Sequence, residues 1–205
     1  MRVLVACEES QAVCLAFRER AHEAYSCDIQ EPSGGHPEWH IRADALELLK
    51  LPWDLIIAHP PCTYMANSGA VRMRVKGKIQ PERYKKAMEA KAFFMAFYNA
   101  NCQKIAIENP TPMKLIGLPP YTQAIQPYEY GHPYSKRTCL WLRGLPPLVP
   151  TCVIADHEPY VNGGCKDAHG NYRRFQGRKE RDAKTRSKTF PGIARAMAEQ
   201  WGSEG

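Results

Sequence analysis

The chain has 205 residues, of which 44% are hydrophobic and 24% are charged. These values are typical of a soluble globular protein with a core of ordinary size, and they exclude a disordered or fibrous chain. No apolar run approaches the roughly 18 residues that a membrane span requires, so we expect no membrane partner. The eight cysteines include no CxxC pair and the first residues already follow a strand pattern, which predicts reduced thiols and a cytoplasmic protein without a signal peptide.

The excess of positive charge is concentrated in one segment. The whole chain carries a formal net charge of +7, and residues 166–188 contain nine Lys or Arg residues against three acidic ones. A concentrated basic patch suits a polyanion, because phosphate neutralisation supplies most of the non-specific affinity for nucleic acid. A solvated loop without a partner is the alternative interpretation.

Strand-like and helix-like patterns alternate along the chain. Strands are predicted at 2–6, 24–27, 54–58, 104–107 and 138–142. Helices are predicted at 10–21, 45–49, 81–100 and 191–201, the last two with a proline in the first turn. Stretches rich in Gly and Pro predict loops at 32–37 and 111–128. The alternation predicts one doubly wound α/β domain over 1–205, with a mainly parallel sheet and a basic excursion at about 151–190.

One cysteine lies on a stiff turn directly after a predicted buried strand. The apolar run 55–58 is followed by His59-Pro60-Pro61-Cys62, and two consecutive prolines prevent continuation as a helix or a central strand. An open α/β sheet builds its active site at the carboxyl ends of its strands. Cys62 is therefore a candidate nucleophile, and a buried structural thiol is the alternative.

A carboxylate occupies the corresponding position after a second strand. Residues 104–107 are followed by Glu108-Asn109-Pro110, so Glu108 and Cys62 are predicted to lie at the same edge of the sheet. A thiol and a carboxyl group at neighbouring strand ends indicate a catalytic site rather than a packing pattern. A carboxylate that caps or bridges a strand end is the alternative for Glu108.

Taken in order, these motifs resemble those of the cytosine-C5 DNA methyltransferases, in particular the compact, divergent members carried by bacteriophages. Residues 61–62 resemble the Pro-Cys nucleophile motif of that family, and residues 108–110 resemble its Glu-Asn-Val motif. Residues 135–138, before a hydrophobic strand, resemble its Gln-x-Arg-x-Arg segment, and residues 190–194 resemble its C-terminal motif. The resemblance spans nearly the whole chain. It implies a Rossmann-like, S-adenosylmethionine-dependent methyltransferase fold in a bacterial or phage-infected cytoplasm.

The resemblance also implies where S-adenosylmethionine binds. Asp28 and Asp44 take the places of the acids that meet the ribose and the adenine, and ordinary turn-forming aspartates are the alternative. The glycine-rich first loop of the family is replaced by the glycine-free residues 6–11. Two of these, Glu8 and Glu9, could hold a cationic amino group or form a solvated pair. The cofactor-binding residues implied are Ala6, Cys7, Asp28, Ile29, Asp44, Pro61, Pro191 and Gly192.

The family's chemistry assigns a role to each candidate catalytic residue. Cytosine C5 is a poor nucleophile, so the thiolate of Cys62 adds to C6, C5 then accepts the methyl group, and elimination frees the enzyme. Charge builds on N3 during the addition, and Glu108 would protonate N3 as a carboxylic acid, provided that burial raises its pKa. Lys136 or Arg137 would bind the carbonyl oxygen of the base or a phosphate, and a surface salt bridge is the alternative. The implied partner is DNA, double-stranded and with a flipped cytosine.

Two basic segments are the predicted contacts to the DNA backbone. The first segment follows the nucleophile and has no acid from 72 to 81, so it could close over a phosphate backbone and help expel a base. An exposed flexible loop is the alternative. The second segment is the excursion. The predicted residues are Arg72, Arg74, Lys76, Lys78, Arg173, Arg174, Arg178 and Lys179.

Other functions stay open at the level of sequence. A pyrimidine-nucleotide C5-transferase acting on free nucleotides is favoured by the short excursion in place of a full target-recognition domain. A non-catalytic nucleic-acid-binding relative is favoured by the glycine-free loop. We predict no metal site, because the spacing of Cys152, His157, Cys165 and His169 matches no standard zinc template.

Overall fold

A seven-stranded sheet forms the centre of the computed structural model, which describes residues 1–166, 171–177 and 183–203. In chain order the strands are β1 (Arg2–Ala6), β2 (Glu23–Asp28), β3 (His40–Arg42), β4 (Leu55–Ala58), β5 (Lys104–Pro110), β6 (Gln123–Ile125) and β7 (Thr138–Arg143). Their order across the sheet is β3-β2-β1-β4-β5-β7-β6. Strands β1 to β5 are parallel, and β7 is antiparallel to both of its neighbours.

Helices cover both faces of this sheet. Their bounds are α1 (Ala12–Arg18), α2 (Ala45–Leu48), α3 (Ala70–Met73), α4 (Pro81–Tyr98), α5 (Ala183–Ser187) and α6 (Pro191–Trp201). Helices α1 and α6 pack on one face, where Val5 and Ile57 contribute to the core. Helices α2 and α4 pack on the other, where Leu4 and Ile56 contribute. Because successive strand residues point to opposite faces and both faces are covered, the strands are continuously apolar.

The prediction of an α/β fold with a mainly parallel sheet flanked by helices is confirmed, and this architecture is compatible with a Rossmann-like fold. Helix α1 starts later than predicted because Gln11 has a φ of 60°, which lies outside the helical region, and the predicted helix cannot include Ala21, whose φ is also 60°. The prediction of loop throughout 111–128 was wrong, since it contains β6. Gln123 of that strand exchanges two side-chain hydrogen bonds with the backbone of Leu148, both at 2.7 Å. This long-range contact leaves no periodic pattern in the local sequence.

Smaller hairpins and strand pairs surround the sheet. Arg74–Val75 pairs with Lys78–Ile79, and Gly163–Lys166 pairs with Tyr172–Phe175, each antiparallel. Glu158–Pro159 runs parallel to Tyr134–Ser135. Within the described ranges, no helix combines the length and the apolar character that crossing a bilayer requires.

The strand order reverses between β1 and β4, and in open α/β sheets such a reversal marks the usual position of a crevice at the carboxyl ends of the strands. From β1 the chain moves outward to β2 and β3 on one side, and from β4 it moves to β5 on the other. Ligands of open α/β sheets bind at such a reversal, outside the carboxyl ends of the strands. The motifs at 6–11, 28–29, 59–62 and 108–110 all lie at this edge.

Candidate active site

The turn that carries Cys62 starts directly at the end of β4. The backbone N–H of His59 donates to the Ala6 carbonyl at 2.9 Å, which continues the sheet pairing by one residue. After the two prolines the carbonyl of Cys62 accepts hydrogen bonds from Met65 N at 3.0 Å and Ala66 N at 2.9 Å. The Cys62 side chain is partly buried, so its sulfur is held by a fixed backbone without being sealed in the core.

Asn109 joins the end of β5 to the same turn. Its side chain is 1% exposed, and its Nδ2 donates to the Pro60 carbonyl at 2.7 Å. Further along, the N–H of Met113 donates to the Met65 carbonyl at 2.8 Å. The Glu-Asn-Pro and Pro-Pro-Cys motifs therefore form one connected unit, with Asn109 as the tie between them.

Glu108 is paired with His59, the first residue after β4. Ala58 lies opposite Ile107 in the parallel register of β4 and β5, so the next residues on each strand are neighbours on the face covered by α1 and α6. His59 Nδ1 and Glu108 Oε2 are 3.2 Å apart, and the side chains are only 10% and 18% exposed.

This pair holds its proton on the imidazole. Burial by itself would raise the pKa of Glu108, but the hydrogen bond and charge of His59, together with Lys136 and the Thr138 hydroxyl, lower the pKa overall. Burial by itself would lower the pKa of His59, but Glu108 and then the charge of Glu8 raise it. The expectation that burial keeps Glu108 protonated was therefore wrong, because His59 outweighs burial.

Lys136 adds a second positive charge beside the imidazolium of His59. Burial and then the charge of Glu108 raise the pKa of Cys62, and Lys136 offsets part of this increase. Lys136 Nζ donates to the Arg186 carbonyl at 2.7 Å. Arg137 instead extends to Tyr121, where its Nη2 lies 3.0 Å from the hydroxyl. The structure thus groups Cys62, Glu108 and Lys136, and it directs Arg137 elsewhere.

The residues implied for the cofactor lie at the ends of β1 and β2 and before α2. Asp28 Oδ1 accepts from Gln30 N at 2.9 Å, and Asp44 caps α2 by accepting from Leu46 N at 3.0 Å. After burial, the charges of Asp28 and Asp44 raise the pKa of Cys7, so these three residues are close in space. Asp28 therefore shapes the turn after β2 and Asp44 caps α2, and each residue uses one carboxylate oxygen for this local role.

Other implied cofactor residues differ in exposure. Ile29, next to Asp28, is 72% exposed, whereas Ala6 is fully buried in the sheet. Pro61 is exposed, and Pro191 is the first residue of α6. Gly192 N donates to His132 Nε2 at 2.9 Å, so the start of α6 is fixed against the segment before β7.

The loop after β1 adopts conformations that normally favour glycine. Cys7 has a φ of 59° and Gln11 a φ of 60°, both in the left-handed region. Gln11 is held there by two hydrogen bonds between its side chain and the backbone of His36, at 2.8 and 3.1 Å. The backbone therefore takes glycine-like turns even though the loop contains no glycine.

Both glutamates of this loop are buried, so the alternative of a solvated pair was wrong. Glu8 is 4% exposed and accepts from Val13 N at 2.7 Å and Cys14 N at 3.1 Å, which satisfies the first turn of α1. Glu9 is 8% exposed, and neither of its carboxylate oxygens accepts a hydrogen bond within the described residues. Lys184 of α5 lies beside it, with Nζ 3.4 Å from Oε2.

The segment 183–188 brings the end of the basic excursion to this edge. Lys184 contacts Glu9, and Lys188 Nζ donates to Ser33 Oγ at 3.1 Å. The Arg186 carbonyl holds Lys136. One short segment therefore contacts both the side of the site near β1 and the side near β7.

The first predicted basic segment is a hairpin rather than an unstructured loop. Lys76 and Gly77 both have positive φ angles, 49° and 79°, as a two-residue type I′ turn requires. Met73, at the base of the hairpin, is buried in the core. The predicted contacts Arg72, Arg74, Lys76 and Lys78 are all exposed. Arg173 and Arg174 lie on the strand Tyr172–Phe175, and Arg178 and Lys179 lie outside the described residues.

Sequence reasoning missed two features of the site. His59 was treated only as part of the turn, although its position directly after Ala58 corresponds to that of Glu108 after Ile107, the residue paired with Ala58. The second feature is a basic pair from α4, Arg83 and Lys86, whose charged groups lie 5.1 and 5.6 Å from the centre of the Tyr64 ring. Their spacing of three residues on a predicted helix places them on one face and could have indicated it.

Within the part of the chain that the structure describes, no three His, Cys, Asp or Glu side chains are arranged to hold a metal ion. Cys152 is exposed, and the His157 ring stacks on Tyr128 with centroids 3.9 Å apart. His169 lies outside the described residues, and the same applies to the side chain of Cys165.

A scan against models of known protein families and a search of curated proteins both return no match. The function must therefore be inferred from the residues and their geometry.

Proposed function

We propose that this protein transfers a methyl group from S-adenosylmethionine to C5 of cytosine in DNA, through a covalent bond between Cys62 Sγ and C6 of a flipped base. The observation that carries the proposal is the cluster at the reversal of strand order. There a partly buried thiol, a carboxylate paired with an imidazole and an ammonium group act on one another. Thiol, acid and cation are the three groups that addition to a pyrimidine ring requires.

Each residue of the cluster has a defined task in this reaction. Cys62 attacks C6 from a rigid turn, which keeps the sulfur in an orientation suited to attack. Glu108 faces the ring edge and handles the proton at N3. Lys136 stabilises negative charge, either on the thiolate or on the carbonyl oxygen of the base, and its hydrogen bond to the Arg186 carbonyl keeps it in place.

The opposite side of the crevice fits S-adenosylmethionine. Within the described residues Asp28 accepts hydrogen bonds through Oδ1 alone, so Oδ2 can meet ribose hydroxyls, and the exposed Ile29 offers an apolar surface for a flat ring. The buried carboxylate of Glu9 has Lys184 Nζ 3.4 Å away but accepts no hydrogen bond within the described residues, and the amino group of the cofactor would supply a donor. When bound, this cofactor supplies an electrophilic methyl group. The glycine-like φ angles of Cys7 and Gln11 support the resemblance of the loop.

Basic side chains around the cluster support DNA as the substrate. The exposed hairpin follows Cys62 in the chain, and Arg83 and Lys86 lie beside Tyr64, two residues after the nucleophile. The segment 183–188 adds further positive charge on the other side. Phosphate groups on either side of an extruded base would meet positive charge at both sites.

Covalent trapping tests the catalytic claim. Duplex DNA containing 5-fluorocytosine should form a stable adduct with the wild-type chain in the presence of S-adenosylmethionine, because the fluorine blocks the final elimination. Cys62→Ala should abolish both the adduct and methyl transfer with an unchanged circular dichroism spectrum. Cys152→Ala is the matched control, since this exposed cysteine lies outside the cluster and its replacement should leave trapping unchanged. Normal turnover by Cys62→Ala would refute the proposal.

Binding measurements separate the proposed substrate from free nucleotides. On duplex DNA, replacing both Arg74 and Lys78 by Ala should lower the slope of log K against log salt by about 0.9 for each phosphate that is no longer neutralised. Lys50→Ala, which removes an exposed lysine on the chain leading into the amino end of β4, should leave the slope unchanged. Activity on free dCMP with no salt-dependent binding of duplex DNA would favour a nucleotide C5-transferase. A thermal shift with S-adenosylmethionine tests the cofactor, since ligand at about 100 times its Kd should add roughly 2.7 kcal/mol.

A further inference from the structure

His59 is placed where it can exchange a proton with the group that faces the substrate. Its Nδ1 lies 3.2 Å from Glu108 Oε2, and both side chains are largely shielded from water. Its Nε2 is buried and makes no hydrogen bond within the described residues. The ring is thus held through one nitrogen only, and that nitrogen meets Glu108.

We propose that His59 is a positioning residue that stores the proton which Glu108 delivers to N3 of the pyrimidine, an inference that rests on the proposed function. A carboxylic acid at Glu108 is what the addition needs, yet the ion pair keeps Glu108 ionised until a base enters. The imidazolium beside it provides the missing proton over a single hydrogen bond. Because this proton source lies beside Glu108, Glu108 can be ionised before the base enters and can still deliver a proton to N3.

The charges around His59 favour this storage role. Glu108 from β5 and Glu8 from the loop after β1 both stabilise the imidazolium, whereas Lys136, before β7, opposes it. Glu8 is held in place by two backbone N–H groups of α1, and these groups and His59 favour its carboxylate, although burial is the larger effect and raises the pKa of Glu8 overall. These two carboxylates outweigh burial and one ammonium, and the pKa of His59 is accordingly raised.

Each proton in the reaction has a defined donor and acceptor. Cys62 loses its thiol proton to solvent, and the sulfur electron pair forms the bond to C6. When the base enters, Glu108 first takes the proton from His59 Nδ1. As sulfur adds, the C5–C6 π pair shifts toward C4 and the C4–N3 π pair moves onto N3, which takes that proton from Glu108 and leaves Glu108 ionised and His59 neutral. After C5 has been methylated, a solvent base removes the C5 proton and the sulfur–C6 bond breaks. The N3 proton then returns through Glu108 to His59.

Transfer from His59 also helps the nucleophile. The charge of Glu108 raises the pKa of the Cys62 thiol, so a thiolate beside an ionised Glu108 is disfavoured. Once Glu108 holds the proton from His59, this repulsion is removed while the positive charge of Lys136 stays. The same proton movement therefore prepares both the acid and the thiolate.

The test uses His59→Asn, whose amide nitrogen can still donate to Glu108 from a position similar to Nδ1 but cannot release a proton. The rate of adduct formation on 5-fluorocytosine DNA should be bell-shaped with pH in the wild type. The rising limb reports Cys62, and the falling limb reports loss of the His59 proton. In His59→Asn the falling limb should disappear and the maximal rate should drop about 100-fold, the lower range for general acid catalysis.

A second readout does not depend on activity. The pKa of His59, followed by NMR of the imidazole signals, should be above its ordinary value in the wild type and should fall in Glu108→Gln and in Glu8→Gln. Glu199→Gln is the control, because Glu199 pairs with Arg20 on the α1 and α6 surface. An unchanged His59 titration in Glu108→Gln would refute the pairing on which the inference depends.

The outcomes distinguish the two proposals. An active wild type together with a His59→Asn variant that keeps its falling limb and a near-normal rate would refute the storage role alone. A folded wild type that forms no adduct and transfers no methyl group would refute the proposed function, and the role of His59 with it. Loss of the falling limb in His59→Asn, together with a lowered His59 pKa in Glu108→Gln, supports both the storage role and the proposed function.

Discussion

The hydrogen bond between Asn109 and Pro60 should be the principal tie between the two motifs of the site. Asn109→Ala removes a buried donor at 2.7 Å and leaves the Pro60 carbonyl without it. An unsatisfied buried acceptor costs about 1–3 kcal/mol. Asn109 Oδ1 is itself buried without a partner within the described residues, and its removal offsets part of this cost. We therefore expect a loss of about 2 kcal/mol in the free energy of unfolding, near the middle of the range for one orphaned acceptor.

Asn109→Asp should be more destabilising than Asn109→Ala at pH 7. A carboxylate would place an acceptor opposite the Pro60 carbonyl, and burying a charge without a donor costs more than deleting the group. The folded state would raise the pKa of this new carboxyl, so the variant should lose stability as pH rises above about 4, the unfolded value for Asp. Lowering the pH from 7 toward 5 should accordingly reduce the gap between the two variants, since a protonated carboxyl can donate to Pro60.

Urea unfolding at several pH values, together with thermal melts, measures these differences. A change of about 2 kcal/mol should appear as a drop of about 4–8 °C in Tm for a chain of this length. Asn101→Ala serves as the control because Asn101 is exposed, and it should stay within about 0.5 kcal/mol of wild type. The reasoning would be refuted if Asn109→Ala matched this control, or if Asn109→Asp were no worse than Asn109→Ala at pH 7.

Three other results are expected. At pH 8 iodoacetamide should alkylate Cys62 severalfold more slowly in Lys136→Ala, and faster in Glu108→Gln, than in the wild type. Mass mapping measures these rates, and equal rates would contradict the electrostatic coupling. The stability contributed by Glu108 should be lost as pH falls through its lowered pKa, and that of His59 as pH rises through its raised pKa. The free energies of unfolding of His59→Asn and wild type, measured by denaturation, should therefore differ most between about pH 4.5 and 6.5. These limits are the ordinary pKa values of Glu and His. Gly192→Ala should cost about 3 kcal/mol or more by thermal melts, because its Cβ would overlap a backbone carbonyl, and a normal Tm would exclude that packing.

The sequence by itself determined the parts of the fold that depend on local patterns. Continuous apolar runs predicted β1, β4 and β5, since strands buried on both faces contain few polar residues. Prolines in the first turn located the starts of α4 and α6. The Pro-Pro-Cys turn after β4 and the glutamate near the end of β5 were visible because polar residues follow apolar runs abruptly.

Tertiary structure decided the features that depend on contacts between distant residues. The edge strands β3 and β6 have three residues each, and such short strands are defined by their neighbours rather than by a repeat. The exclusion of Arg137 from the cluster depends on Tyr121, which belongs to another segment. The protonation of Glu108 could not be inferred from its own position, because it depends on which residue lies beside it. That residue, His59, comes from the parallel register of β4 and β5, and register is a property of the assembled sheet rather than of either strand alone.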